Sequence, residues 1–318
     1  MNIATSHDTD HARFSHEALF YAGPREYVQR TGAFIREGLA AGEPVLVMVP
    51  RDKGELLRGE LGAEADRVCI VDMCEAGRNP GRIISAWSDF AAEHKAGGGR
   101  LRGIGEPIWA ARDADELVEC QHHESLINLA FSGADGFRLV CPYDTDALSP
   151  DVIEEAWRSH PLVLEGGLPR PSDRYRGPDA IRFQHEPLAP PHAPSEDMDF
   201  RASTLMAVRR FVTRHAEAAG LTPGRGDDFV LAVNEAASNS VKYAGGQGVV
   251  RIWNDEGDTL VCEVRDSGRL DDPLVGRTRP EPGSGGGRGL WLAHQVCDLV
   301  QLRSGPRGTV VRLHVQVA

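Results

Sequence analysis

Short apolar runs and amphipathic stretches alternate along the first half of the chain. VLVMV at 45–49 is a continuous apolar run ending at Pro50, and VCIVD at 68–72 repeats it. Such short runs between breakers predict buried strands. LRGIGEP (101–107) and FRLVCPY (137–143) predict two more. Between them, residues 24–40 place Tyr27, Phe34, Ile35 and Leu39 at helical spacing, residues 80–96 carry Ile83, Ile84, Trp87 and Phe90, and residues 113–131 read as a third helix. Strands alternating with helices imply right-handed crossovers and a mostly parallel sheet covered on both faces.

The pattern then breaks. From Leu164 to Pro194 the chain holds seven prolines, whose fixed φ and missing N–H deny it long regular elements. Residues 166–197 therefore read as a linker, within which IRFQHE (181–186) has the alternation of an edge strand for the following domain. Residues 200–219 give an amphipathic helix with Leu205, Val208, Phe211 and Val212 on one face, and residues 226–243 a second with Phe229, Val230, Val233, Ala236, Ala237 and Val241. Strands follow at 248–254, 259–267 and 309–317, with a Gly/Pro-rich loop at 268–289 leading into a helix at 290–300. Helices grouped against strands with short turns predict an α+β sandwich over an antiparallel or mixed sheet. At the other end, residues 1–12 are polar and read as a frayed, flexible N-terminus.

Charge narrows the function classes. The 318 residues carry 35 Lys+Arg against 47 Asp+Glu, a formal charge of −12. Residues 1–165 hold 28 acids and 16 bases, whereas residues 166–318 hold 19 of each. Neither half has the net-positive surface that draws in a phosphate backbone or an anionic membrane, so no nucleic-acid or membrane partner is expected. No run of 18 apolar residues exists and the first residues lack the order of a signal peptide, which predicts a cytoplasmic protein. Six scattered cysteines fit reduced thiols better than a disulfide framework. Neither the Cys69/Cys74 pair nor Cys120 with His122 and His123 has the spacing of zinc ligands. The strand at 45–49 is followed by PRDKGELL, which is not a phosphate-binding P-loop.

Four small motifs lie in the second half. Glu235 and Asn239 are one turn apart on the second helix, hence on one face bordering the core. Asp266 and Gly268 end a strand, GSGGGRGLWL (283–292) is a glycine run opening a helix, and Gly308–Thr309 begins the last strand. A helix opened by glycines presents free N–H groups that suit phosphate oxygens. Asp266 lies 27 residues past Asn239, Gly289 23 past Asp266, and Thr309 20 past Gly289. In this order and spacing, residues 198–318 resemble the GHKL (Bergerat) ATP-binding fold of histidine kinases and gyrase. LAVNEAASNSVKYAG and GRGLWLAHQVCDLVQLRSGPRGTVVRLHV are most similar to the RsbW-type anti-sigma factor serine kinases, particularly those fused behind a sensory domain.

That resemblance implies ATP and Mg²⁺ as cofactors. Asn239 is the implied Mg²⁺ ligand and Glu235 the general base toward a protein serine. Asp266 is the acceptor for the adenine amino group, and Gly268 lets the base approach. Gly287, Gly289 and Leu290 are implied in the lid and phosphate-cradling helix start, and Thr309 in contact near the adenine. Hard Mg²⁺ and phosphoryl transfer ask for this kind of oxygen-ligand positioning. The family motif DxGxG has Leu270 in place of its last glycine, which implies a stiffer or differently placed lid. Lys242, the sole lysine of the second half, stands beside the Glu235/Asn239 pair as a candidate phosphate-side charge. Residues 13–165, through HEALFY, VLVMVP, IGEP, HESLIN and LVCPYD, resemble the MEDS sensory domain, a degenerate RecA-like α/β unit. The resemblance implies a small organic ligand touching His16, Glu106, Glu124, Cys141 and Tyr143.

The expected protein is a cytoplasmic anti-sigma regulator. Its partners would be a sigma factor and an anti-anti-sigma antagonist of the STAS type, with homodimerisation through the helical or sheet edge a further expectation. Two alternatives stand beside it: a non-catalytic sigma-binding module with a decayed ATP site, and a sensor histidine kinase. For the latter the upstream candidates are His16, in SHEAL, and His215, on the first helix of the ATP domain.

Overall fold

The computed structural model describes residues 14–94, 99–177, 181, 187–255, 258–281 and 287–317. The chain divides into two compact units, residues 1–181 and 182–318. The flexible terminus expected at 1–12 and the strand expected within 182–186 lie outside the described residues.

The first unit holds a seven-stranded sheet. In chain order it is built from β1 (Ser15–Tyr21), α1 (Gly23–Ala40), β2 (Val45–Val49), α2 (Arg51–Leu61), β3 (Cys69–Asp72), α3 (Met73–Ala76), α4 (Ile83–His94), β4 (Leu101–Gly105), α5 (Ala114–Ala130), β5 (Phe137–Asp144), α6 (Pro150–Ser159), β6 (Leu162–Glu165) and β7 (Leu168–Pro171). The strand order is β3-β2-β4-β5-β1-β6-β7, parallel throughout except for the β6–β7 hairpin at one edge. All five positions of VLVMV are buried, as a strand covered on both faces requires. Gly103 and Gly105 leave room for the Trp87 ring, which an added Cβ would meet at 2.8 and 3.0 Å. Asp113 and Glu116 form a reciprocal capping box that starts α5, a device worth about 1 kcal/mol.

Two helices, β1 and the β6–β7 hairpin of this unit go beyond the hydrophobic pattern. SHEALFY forms β1, next to the central β5, because its polar His16 and Glu17 are buried with polar partners. PRDKGELL, which is not a P-loop, enters α2, whose Pro50 supplies the turn before the first helical residue. Residues 150–159 form α6. The linker stretch begins with the β6–β7 hairpin across Gly166 and Gly167, at φ +57° and +84°, the backbone of a tight hairpin turn. Pro169 and Pro171 are tolerated there because β7 is an edge strand.

The second unit comprises β8 (Glu196–Arg201), α7 (Leu205–Ala219), α8 (Pro223–Tyr243), β9 (Gln247–Asp255), β10 (Thr259–Asp266), α9 (Arg288–Val296), β11 (Leu299–Gly305) and β12 (Gly308–Gln316). Its sheet is antiparallel in the order β11-β12-β10-β9-β8. Phe229, Val233, Ala236 and Ala237 of α8 join Val208 and Val212 of α7 and Val250, Leu260, Val264 and Leu313 of the sheet in one core. Burying each large apolar side chain contributes about 1.5–3 kcal/mol. The helix expected over 290–300 stops at Val296, and the apolar LVQL that follows is strand β11. Asp298, at that break, is held by the Arg225 guanidinium at 2.5 Å and accepts the Gln316 N–H at 2.8 Å. The fold classes are thus a parallel-dominated α/β unit and an α+β sandwich.

Candidate functional site

In the second unit, the ends of α8, β10 and α9 and the start of β12 meet around a cavity of about 160 Å³. Asn239, Asp266, Gly268, Leu270, Gly287, Leu290 and Thr309 line it, with Ala236, Val275 and Val311 supplying apolar wall. Seven positions far apart in sequence therefore converge. Glu235 stands next to them: an added Cβ at Gly289 would lie 2.6 Å from Glu235 Oε2. A side chain at 289 would press on Glu235, so glycine there lets α9 start against that carboxylate.

The Asp266 corner is tightly determined. Ser240 Oγ donates to Asp266 Oδ2 at 2.5 Å, and the Gly268 N–H donates to Asp266 Oδ1 at 2.8 Å. Asp266 faces Thr309 across the β10–β12 ladder, and the Thr309 hydroxyl donates to the Gly268 carbonyl at 3.0 Å. Ser304 Oγ pairs with Thr309 Oγ1 at 3.0 Å and accepts the Leu270 N–H at 2.8 Å. A Cβ on Gly268 would meet Ala244 Cβ at 2.5 Å, so the chain passes too close to α8 for any side chain. Leu270 packs its side chain against the core, and its φ is not positive. The leucine is therefore accommodated without backbone strain where the family motif has glycine.

At α9, Gly287 takes φ +84° as the residue before the helix, with no side-chain cap. The first turn of this nine-residue helix thus presents backbone N–H groups of the kind that suit an anion beside the cavity. This glycine cradle, with the amide of Asn239 and the carboxylates of Asp266 and Glu235, fits a nucleotide. Residues 283–286 of the glycine run lie outside the described residues. Lys242 is exposed with its ammonium 4.9 Å from the Tyr243 ring, and it does not line the cavity.

The five residues singled out in the first unit fall into two groups. Glu106, just past β4, is completely buried and accepts from Tyr21 OH at 3.0 Å and from Lys53. Its Oε2 and the nearby Tyr27 hydroxyl, both buried, have no hydrogen-bond partner. Burial raises the Glu106 carboxyl to about 7 although Lys53 and Tyr21 pull it down. Burial and Glu106 in turn raise the Tyr21 phenol. These groups lie at the carboxyl ends of β1 and β4, where open α/β sheets receive ligands.

His16, Glu124 and Cys141 meet elsewhere, joined by His160. His16 Nε2 lies 3.0 Å from Glu124 Oε2 and 3.3 Å from Cys141 Sγ, and His160 Nε2 lies 3.3 Å from the same Glu124 oxygen. All four side chains are buried, and Tyr143 stacks edge-on to His160 at 5.5 Å. Burial first, then His160, lowers the His16 pKa. Burial, reinforced by Glu124, raises the Cys141 thiol. All six cysteines are free, with Cys69 and Cys74 exposed, and burial pushes the Cys120 thiol up to about 12.

Residues 15–161 match the family model described as MEDS, the methanogen/methylotroph, DcmR sensory domain, and residues 198–315 match that of the histidine kinase-like ATPase domain. The chain joins a MEDS domain to a histidine kinase-like ATPase domain. No protein of curated function matches it. Among solved structures, the RsbU and RsbW domains of Rv1364c from Mycobacterium tuberculosis are similar at 18% identity with a TM-score of 0.30, over 39% of this chain and 32% of that one. The chain thus spans about a third of that structure's length. The ATPase domain implies ATP binding, and the cavity with its glycine cradle is where its motifs meet.

Sequence reasoning missed His160, Lys53 and Tyr21 in the MEDS domain and Ser240 and Ser304 in the ATPase domain. Ser240 had a signal, since it continues the apolar stripe of α8 at helical spacing and a polar residue there needs a buried partner. His160 had none, because it follows α6 with no ligand-like spacing to the others.

Proposed function

We propose that this protein is a cytoplasmic, signal-controlled anti-sigma regulator. In this reading the ATPase domain binds ATP with Mg²⁺, sequesters a sigma factor and phosphorylates a serine of an anti-anti-sigma antagonist. The observation that carries it is the convergence of Asn239, Asp266, Gly268, Gly287, Leu290 and Thr309 on one cavity with Glu235 beside the start of α9. Asn239 would hold Mg²⁺, which supplies charge neutralisation at the phosphates. Asp266, fixed by Ser240 and Gly268, retains lone pairs to accept from an adenine amino group. Leu290, Val275 and Val311 offer the apolar surface a base requires, and the N–H groups at Gly287 to Gly289 orient phosphate oxygens. Glu235 takes the proton of the attacking serine hydroxyl.

Phosphorylating the antagonist places about −2 charge on a surface that must dock, so the kinase is released to hold sigma. The MEDS domain would set the balance by binding a small organic signal, with Glu106, Tyr21 and Lys53 at the strand ends as its polar contacts. A histidine-kinase reading finds less support. His16 is 1% exposed on β1, and His215 packs edge-on against Phe211 at 4.7 Å within the ATPase domain itself.

The experiment is phosphate transfer from Mg·ATP to a candidate antagonist by the full-length chain, with nucleotide binding measured in parallel by calorimetry. Asn239→Ala should lose nucleotide binding, whereas Glu235→Ala should keep it within a few-fold and lose transfer by at least about 100-fold. Equal transfer by both variants would sink the role assignment. Absence of any binding heat in the parent protein would favour a decayed, purely sigma-binding module.

A further inference from the structure

We propose that the first unit carries a closed four-ligand site for a zinc-class divalent metal ion, formed by His16 Nε2, Glu124 Oε2, Cys141 Sγ and His160 Nε2. The four side chains come from four separated stretches: His16 from β1, Cys141 from the adjacent β5, Glu124 from α5, and His160 from the position just after α6. Their ligand atoms all lie within 4.8 Å of one another. Three of the six separations are 3.0, 3.3 and 3.3 Å, near the roughly 3.3–3.8 Å edge of a tetrahedron with bonds of about 2.0–2.3 Å. Two imidazoles, one carboxylate and one thiolate form a donor set suited to this ion.

The hydrogen bonds behind the cluster orient the ligands. Asn128 Nδ2 donates to the Ser159 carbonyl at 2.8 Å, which leaves its Oδ1 facing His16 Nδ1 at 3.1 Å. His160 Nδ1 faces the Ala156 carbonyl at 2.9 Å. Ser159 Oγ, 3.1 Å from the same nitrogen, spends its proton on the Glu155 carbonyl at 3.0 Å and so accepts there. Both rings therefore carry their proton on Nδ1 and turn the Nε2 lone pair inward, the arrangement found behind metal-bound histidines.

With lone pairs turned inward, the cluster lacks a cation. His160 Nε2 and both Glu124 oxygens are buried and have no hydrogen-bond partner despite their close approach. Protonating one ring would leave the other ring's Nε2 lone pair against the same carboxylate oxygen, and protonating both would bury two imidazolium ions with centroids 4.0 Å apart against a single carboxylate, which like-charge repulsion and desolvation oppose. A divalent ion with a carboxylate and a thiolate leaves the buried cluster neutral, and the thiol proton is released to solvent on binding. Four protein ligands close the coordination shell, so the ion would pin β1, β5, α5 and the α6 end together. The inference is independent of the kinase reading and stands or falls separately.

The test uses the untagged full-length chain, reduced and stripped with a chelator, then titrated with Co²⁺ as a spectroscopic probe. One cobalt per chain should bind with the intense visible bands of tetrahedral coordination and a near-ultraviolet thiolate charge-transfer band, and Zn²⁺ should displace it. Cys141→Ser should abolish the charge-transfer band and weaken binding at least tenfold, while Cys120→Ser, a buried thiol outside the cluster, should leave both unchanged. X-ray absorption of the zinc-loaded parent protein needs no variant to fold, and should show one sulfur and three nitrogen or oxygen neighbours. No charge-transfer band in the parent chain, a band that survives Cys141→Ser, or a shell without sulfur would overturn the proposal.

Discussion

Glu106 follows β4 with its carboxyl removed from water, and burial overrides the neighbouring lysine to raise it to about 7. The linkage sign follows. The unfolded chain ionises near 4.5 while the folded protein holds the proton until about 7. The contribution of this group to stability is therefore fully present below about pH 4.5 and lost as pH rises to about 7. Its full size is on the order of 3 kcal/mol. Glu106→Gln, which cannot ionise, should gain stability relative to the parent chain across that window and nowhere else. Hydrogen exchange of the β1 and β4 amides in the full-length protein, measured from pH 4 to 8, checks this, and a difference independent of pH would contradict it. The residue was legible as a candidate through the MEDS resemblance that IGEP helps to carry. Its partners were not, since Lys53 and Tyr21 reach it from 53 and 85 positions away in the chain.

At the scale of elements, the β11–β12 hairpin positions the Asp266 corner of the candidate site. Gly308 sits at φ +110°, and a Cβ there would stand 2.0 Å from the Asp266 carbonyl oxygen. Gly308→Ala must therefore move β12 away from β10 as well as strain its own backbone. We expect at least about 2 kcal/mol of local destabilisation, read as roughly 30-fold faster exchange of β11 and β12 amides. Nucleotide affinity should fall with it, because Asp266 and Thr309 are register partners; unchanged exchange would remove the argument. This hairpin also shows why β11 escaped the pattern. LWLAHQVCDLV is apolar enough to read as one helix, but Asp298, held by Arg225 and by the Gln316 N–H, divides it. In α2 the apolar pattern is thin, because two glycines and six charged residues in RDKGELLRGEL leave Leu57 and Leu61 as its buried apolar stripe. The EGGL hairpin was readable from its glycine pair, but the prolines on either side argued for a linker.

For the whole molecule, two cores with separate sheets make ligand binding a regional stabiliser. Mg·ATP at about 100 times its dissociation constant should stabilise the ATPase unit by about 2.7 kcal/mol. Exchange of the most protected amides of α8 and β10 should slow about 100-fold, and Asn239→Ala should erase the effect. Failure of the parent chain to show it would count against a working nucleotide site. The charge division belongs to this scale too. All the excess acidity falls in residues 1–165, and the balanced second half is the one proposed to receive both phosphates and protein partners. No described helix is long and apolar enough to cross a membrane.

By itself the amino-acid sequence determined the alternation of strands and helices, the change of pattern after residue 165, and the order of the four motifs of the ATPase domain. Those signals are written in neighbours one turn or one strand apart, or in spacings that a single compact unit preserves. Only the tertiary structure decided that Ser240 and Ser304 lock the Asp266 corner, that Lys242 stays outside the cavity, and that His160 completes a cluster with His16, Glu124 and Cys141. Parallel strands and their crossovers bring residues more than 100 positions apart into contact, and a lone histidine carries no local trace of that meeting.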